Sequence, residues 1–198
     1  MKHLAKLNII MRLRYLLILI PFIVANAWAQ SYEPIGARSK VHFVIKNFGI
    51  STGGDFTGLK GTIHFFPDSL AGCQFDVTVA ASTVDTDNGM RDKNLVSDEY
   101  FDAAKYPVIQ LVSTKITKTN KTDSGFYYFT GNLTIKGVTK TVNFPFQAKK
   151  IKDDYLFTGN FDIDRTAFGV GEKSMVLSNK VAVSLSVMSK KELTILWD

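Results

Sequence analysis

The segment Ser82–Pro107, STVDTDNGMRDKNLVSDEYFDAAKYP, interrupts two stretches that otherwise read as neighbouring strands. Before it, Cys73, Phe75, Val77, Val79 and Ala81 alternate with Gln74, Asp76, Thr78 and Ala80; after it, Val108-Ile109-Gln110-Leu111-Val112 resumes the extended pattern. Alternation with period two marks a half-buried strand. The interruption is polar and helix-compatible. Asp87 is placed to cap a short helix running to Ser97, with Met90 sharing a face with Asn94 and Ser97, or with Leu95. Asp98–Asp102 forms a second short turn that ends before Pro107. Helices this short do not stand alone and must dock on something larger. A helix lying across the mouth of a β-structure is the expected result.

Outward from this insert the chain is nearly all β. Val41, Phe43 and Ile45 alternate with His42, Val44 and Lys46, and period-two runs follow at Thr57, Leu59, Gly61, Ile63 and Phe65, then at Tyr127, Phe129, Gly131, Leu133 and Ile135. The pattern continues through Val138–Ala148, Tyr155–Ile163 and Val181–Val187, with turn residues at Pro67-Asp68, 120–125, Lys136-Gly137 and 152–154. This predicts about eight antiparallel strands, the number that closes a barrel able to hold one small ligand. A two-sheet sandwich has the same alternation, so periodicity alone leaves both open.

The first residues read as a targeting segment. Lys2, Lys6, Arg12 and Arg14 precede the apolar run Tyr15–Val24, and Ala27-Trp28-Ala29 gives the small-x-small pattern of a cleavage site. A membrane span needs about 20 apolar residues, and this core is about half that and contains Pro21. We therefore expect a cleavable signal peptide over residues 1–29 and a single domain over 30–198. Of 24 basic and 18 acidic side chains, four basic ones fall in the signal, which leaves 20 against 18. That near balance, without a basic stripe, argues against nucleic acid as a partner. Cys73 is the one cysteine, so no intrachain disulfide forms, and its place on the apolar parity reads as a buried, inert thiol.

The motifs that suggest chemistry dissolve on inspection. Gly49-Ile50-Ser51-Thr52-Gly53 fits G-x-S-x-G, but a nucleophile elbow needs a strand-to-helix turn. Here Gly54–Gly58 leads into another strand, so a glycine-rich hairpin is expected. Gly169–Ser174 lacks phosphate-loop spacing, because Arg165 stands where the first glycine belongs. His42 and His64 belong to no zinc array, and both lie opposite the apolar parity as solvated strand residues. The acidic residues Asp85, Asp87, Asp92, Asp98, Glu99 and Asp102 fit helix capping and ion pairs with Arg91, Lys93 and Lys105 better than a calcium loop. No catalytic set, metal site or cofactor is predicted.

What remains is apolar material: 14 of the 15 phenylalanines lie beyond the signal segment. Burying about 500 Å² of a lipid tail contributes roughly 12 kcal/mol gross at ~25 cal/mol per Å², of which ordering the chain offsets about half or more. Tight binding of an elongated apolar guest therefore requires no polar contact.

Several blocks in order and spacing resemble the YceI-like family of secreted bacterial proteins. They are Ser39-Lys40-Val41-His42-Phe43, Phe48-Gly49-Ile50-Ser51, Phe56–Gly61, Ser82–Thr86, Arg91-Asp92 with Leu95, and Phe101-Asp102 with Lys105-Tyr106-Pro107. Gly131–Lys140 and Asp164-Arg165 with Phe168-Gly169-Val170-Gly171 complete the set, which spans Tyr32 to about Val187. The resemblance implies a lipocalin-like barrel, periplasmic or secreted, whose lumen takes a polyisoprenoid, an isoprenoid quinone or a fatty-acid-like lipid for transport or storage. It implies no catalysis. Asn47 departs from a histidine common at that position in the family, which bears on head-group preference. On the apolar parity we expect Phe43, Ile45, Phe56, Leu59, Ile63, Phe129, Leu133, Phe144, Phe146, Val183 and Leu185 to face the lumen or core and bind ligand, with Arg91, Asp92 and Asp102 pinning the insert. Two rivals remain: an enzyme acting on an isoprenoid or quinone precursor, which needs His42 or His64 turned inward, and a stress-response interaction protein with a filled barrel. A homodimer is also compatible with the sequence.

Overall fold

The computed structural model describes residues 31–119 and 125–192. The signal segment expected over 1–29 and most of the turn at 120–125 lie outside the described residues. Ten strand segments follow in order: β1 (Ser31–Pro34), β2 (Lys40–Asn47), β3 (Ile50–Phe56), β4 (Lys60–His64), β5 (Gln74–Ala80), β6 (Val108–Lys118), β7 (Phe126–Ile135), β8 (Val138–Ile151), β9 (Asp154–Asp164) and β10 (Leu177–Lys191). Among the described residues one α-helix, α1 (Gly89–Val96), lies between β5 and β6, and short 3-10 turns occur at Gly36–Arg38, Leu70–Gly72, Ala81–Thr83 and Arg165–Phe168.

Pairing turns these ten segments into an eight-stranded closed antiparallel barrel. The sheet order is β1-β4-β5-β6-β7-β8-β9-β10-β2-β3, and β1 also pairs with β10. Both β1 and β2 lie along β10, at Tyr32↔Lys191 and at Val183↔Phe43 respectively, so they are two halves of one long strand broken at 35–39. β3 and β4 are likewise two halves, pairing with β2 and β1. Closure pairs both sides of the strands around the ring, except along β3, whose outer edge carries the single bridge Asp55↔Asp85. The barrel, not the sandwich, is the architecture.

The alternation expected from sequence survives along β5 and β7 to β9, with one parity buried and the other facing out. The expected single strand over 57–65 is corrected. β3 ends at Phe56, Gly58 has a positive φ, and pairing restarts at Lys60. Phe56 and Leu59 are both buried although three residues apart, so the break inverts the parity. The serine of the G-x-S-x-G stretch sits inside β3, opposite Lys46, beyond a two-residue hairpin turn at Phe48-Gly49.

One end of the barrel is filled with rings. Phe65 is 0% exposed and meets Tyr127, Tyr155 and Phe157 edge-on at centroid distances of 5.1, 5.2 and 5.2 Å, with Phe75 and Phe146 at 6.2 and 6.4 Å. Edge-to-face packing pairs the positive ring edge with the negative face and stabilises beyond area burial alone. Beside this plug the Cys73 sulfur accepts from the Phe66 N–H at 3.2 Å. Burial pushes the Cys73 thiol up, with that hydrogen bond partly offsetting it.

Candidate binding cavity

The other end of the barrel is hollow. Above the plug, Phe144 stacks between Phe129 and Phe161 at 4.7 and 4.5 Å, forming a floor. The Phe129 and Phe144 rings tip over Gly131 and Gly159, where a β-carbon would stand 2.6 and 3.1 Å from them. The space above the floor is a cavity of about 490 Å³, within the ~300–1,000 Å³ of small-molecule sites. Its wall is aliphatic and aromatic, drawn from β2, β3, β5, β6, β7, β9 and β10.

Seven of the eleven expected ligand-facing residues line this space: Phe43, Ile45, Phe56, Leu59, Leu133, Val183 and Leu185. Phe129 and Phe144 belong to the floor, and Ile63 and Phe146 to the plugged end, all four buried in the same continuous core. Plug and cavity share the inward parity, so alternation does not divide them. Residues absent from the expected set also line the wall, among them Val77, Val79, Ile109, Ile135, Phe161 and Val181. Most lie on the parity already read as inward, and strand parity was the signal that could have found them.

The insert closes the mouth. Met90, Arg91, Asn94 and Leu95 of α1 line the cavity, and Phe101 meets Phe56 edge-on at 5.5 Å. The N-cap is Asn88, whose side chain accepts from the Arg91 N–H at 3.1 Å, and not Asp87, which has φ +56°. Both residue types cap helices, and the backbone at Asp87 turns too early to do so. The anticipated ion pairs with Arg91, Lys93 and Lys105 are absent among the described residues. Instead Thr86 is held from both sides: Arg91 donates to its Oγ1 and carbonyl at 2.8 and 2.6 Å, and Asp92 accepts from its N–H and Oγ1 at 3.0 and 2.5 Å. Arg91 and Asp92 thus fix the insert's own fold around Thr86, while Asp102 acts through its backbone, accepting from the Lys105 and Tyr106 N–H groups.

Two further contacts fasten the insert. Asp55 and Asp85 exchange backbone hydrogen bonds at 2.8 and 2.9 Å, bridging the gap where β3 has left the ring. Lys136, at the β7–β8 turn, donates to the carbonyls of Asp98, Glu99 and Gly169 at 2.6, 3.2 and 3.0 Å. The insert reaches β3 closely because position 54 has no side chain. A β-carbon there would stand 2.6 Å from the Thr86 methyl and 2.8 Å from the Asp85 carbonyl. Gly54→Val should therefore push the insert off and destabilise the fold by about 1–3 kcal/mol, which thermal denaturation checks directly.

The histidines do not enter the cavity wall. His42 Nδ1 lies 2.7 Å from Asp55 Oδ1 on the outer face, and Lys40 Nζ lies 3.0 Å from Asp55 Oδ2. His64 is half-buried, against the solvated position expected, and its Nδ1 is enclosed without a hydrogen-bond partner among the described residues. For Asp55, burial acts to raise the pKa, but hydrogen bonds and charge from Lys40 and His42 outweigh it and hold the carboxyl below its ordinary value. The folded state then binds this proton less readily than the unfolded chain. The resulting stability is present above the unfolded pKa of about 3.9 and is lost as pH falls through the lower folded value. Asp55→Asn should lower the melting temperature near neutral pH, with the difference from the parent closing as acid drops below about pH 4.

Arg165 went unassigned at the sequence level although its motif was visible. It is buried at 4% exposure, lines the cavity mouth, and forms no ion pair among the described residues. Its Nε donates to Ser178 O at 2.9 Å, Nη1 to Val170 O at 2.8 Å and Nη2 to Glu172 O at 2.7 Å. Carbonyl dipoles satisfy the guanidinium without cancelling its charge. A smaller polar pocket, which includes Glu172, Lys173 and Ser174, shares Asn47, Tyr100, Arg165 and Leu177 with the cavity.

A closed antiparallel barrel, plugged at one end and hollow at the other beneath a helical insert, defines a lipocalin-like protein. Residues 32–188 match the YceI-like domain, and the chain belongs to that family. A UPF0312 protein of Pectobacterium atrosepticum is 35% identical over 119 residues, covering 60% of each chain. The chain spans about three fifths of the length of the curated relatives it matches, 60–64% of each. Among solved structures, Burkholderia cenocepacia BcnA is similar with a TM-score of 0.72 and 26% identity, covering 78% of this chain and 98% of its own. A polyisoprenoid binding domain from Saccharophagus degradans, implicated in plant cell wall breakdown, shares the fold at TM-score 0.66 and 15% identity, covering 82% and 99%.

Proposed function

We propose that this protein binds a long-chain lipid, of the polyisoprenoid, isoprenoid-quinone or fatty-acid class, in the barrel cavity, and carries or stores it in the bacterial periplasm after removal of residues 1–29. The observation that carries this reading is the apolar cavity of about 490 Å³ above the Phe129–Phe144–Phe161 floor. The polyisoprenoid-binding description of the Saccharophagus degradans domain supports the ligand class.

The tail lies against Phe43, Ile45, Phe56, Leu59, Leu133, Val183 and Leu185, and the polar head sits at the mouth near Arg91, Arg165 and Asn47. Area burial drives the binding and sets little demand on tail chemistry. The uncancelled Arg165 charge favours a head group rich in acceptors. Delipidated protein titrated with a fluorescent fatty acid should bind one equivalent, and a polyprenol or quinone should displace it. Failure of all three lipid classes to bind would refute the reading.

A further inference from the structure

Among the described residues the four most exposed large apolar side chains are Met175 (104%), Met90 (79%), Phe48 (74%) and Ile50 (71%). All four flank the cavity mouth. The Phe48 N–H donates to the Val176 carbonyl at 2.9 Å, which joins the β2–β3 turn to the segment carrying Met175. Ile50 pairs with Asn47, which lines the cavity together with Met90.

Folding does not account for Phe48. With Gly49 it forms a two-residue hairpin turn in which both residues have positive φ, +51° and +78°, a turn that favours Asn-Gly. A bulky residue is disfavoured in that conformation, and here its ring gains no burial in return. We propose that these side chains insert into a lipid bilayer surface, so that a lipid passes between membrane and cavity without crossing water. This rests on the lipid-cavity reading.

The shape and charge of the rim select a bilayer over a protein partner. The apolar groups stand on the tips of three separate segments, the Phe48-Gly49 turn, residues 172–176 and the start of α1. Projecting tips penetrate a soft interface and offer no flat face to a rigid partner. Residues 46–51, 87–93 and 172–176 carry Lys46, Arg91, Lys93 and Lys173 against Asp87, Asp92 and Glu172, a net charge of +1. Lysines beside inserted apolar groups reach lipid phosphates, so apolar insertion dominates with a modest preference for anionic lipid.

The test is flotation of the full-length chain, purified without detergent, with vesicles of phosphatidylethanolamine and phosphatidylglycerol. Three proteins are compared: the parent, Phe48→Ser with Met175→Ser, and a control, Tyr128→Ser with Ile151→Ser, exposed apolar residues on the plugged side of the barrel. Comparing the two double variants cancels any contribution of the N-terminal segment. The rim variant should partition about tenfold or more weakly than the control, with unchanged melting and unchanged affinity for a fluorescent fatty acid in solution. Equal partitioning of rim and control variants, or no partitioning by the parent, overturns the proposal. So does a rim variant that converts a dimer to a monomer in sedimentation without changing vesicle binding, which would assign the rim to a second copy. A parent that binds the fluorescent fatty acid but no vesicles fails on docking alone; one that binds vesicles but no fatty acid fails on the cavity reading alone.

Discussion

Phe43→Glu is expected to abolish lipid retention while leaving the barrel folded. Phe43 lines the cavity wall and lies 5.7 Å from Phe56, centroid to centroid. A carboxylate there either draws water into the cavity or takes up a proton, and both replace favourable tail contact with a desolvation cost. A loss of about 3 kcal/mol corresponds to more than 100-fold in affinity. Phe43 is half-buried and stands outside the aromatic plug, so stability should fall far less than binding. Phe43→Leu, which keeps the wall apolar, should bind nearly as well as the parent. Titration with a fluorescent fatty acid, with circular dichroism to verify folding, checks both. Retention unchanged in Phe43→Glu would remove this residue from the site.

The largest expected effect on stability is at the other end of the barrel. Phe65→Ala removes a fully buried ring from the centre of five aromatic neighbours. Strands on every side are tied into a closed ring and relax little, so the void persists. The cost should reach the upper part of the 3–5 kcal/mol range for Phe→Ala, about 4–5 kcal/mol. Val183→Ala, which enlarges a space that already exists, should cost about 1–2 kcal/mol, less than the usual burial term. Urea denaturation distinguishes them. If the two variants cost the same, the division into a packed plug and a hollow cavity is wrong.

That division is the part of the molecule least legible in the sequence. Period-two alternation placed β5 to β9, and the polar composition of 82–107 placed the helical insert over the mouth. Alternation reports which face of a strand points inward, and it reports nothing about position along the barrel axis. Leu133 and Phe129 share one strand and one parity, yet Leu133 lines the cavity and Phe129 forms its floor. Which is which depends on how neighbouring strands stagger, a non-local property. The break at 57–59 is hidden in the sequence because Thr57, Leu59 and Gly61 continue the alternation while the backbone at Gly58 reverses it. Arg165 was visible as part of a motif. Its burial depends on carbonyls from residues 170–178, a loop with no periodic pattern to read.

The central claim is that the cavity holds lipid. The direct measurement is to express the full-length chain in a bacterial host, purify it without detergent, extract it with organic solvent and identify what co-purifies by mass spectrometry. A stoichiometric isoprenoid, quinone or fatty acid in the parent, and its loss from Phe43→Glu, is the predicted result. A parent that is free of lipid and also refuses added polyprenol, quinone and fatty acid would contradict the account.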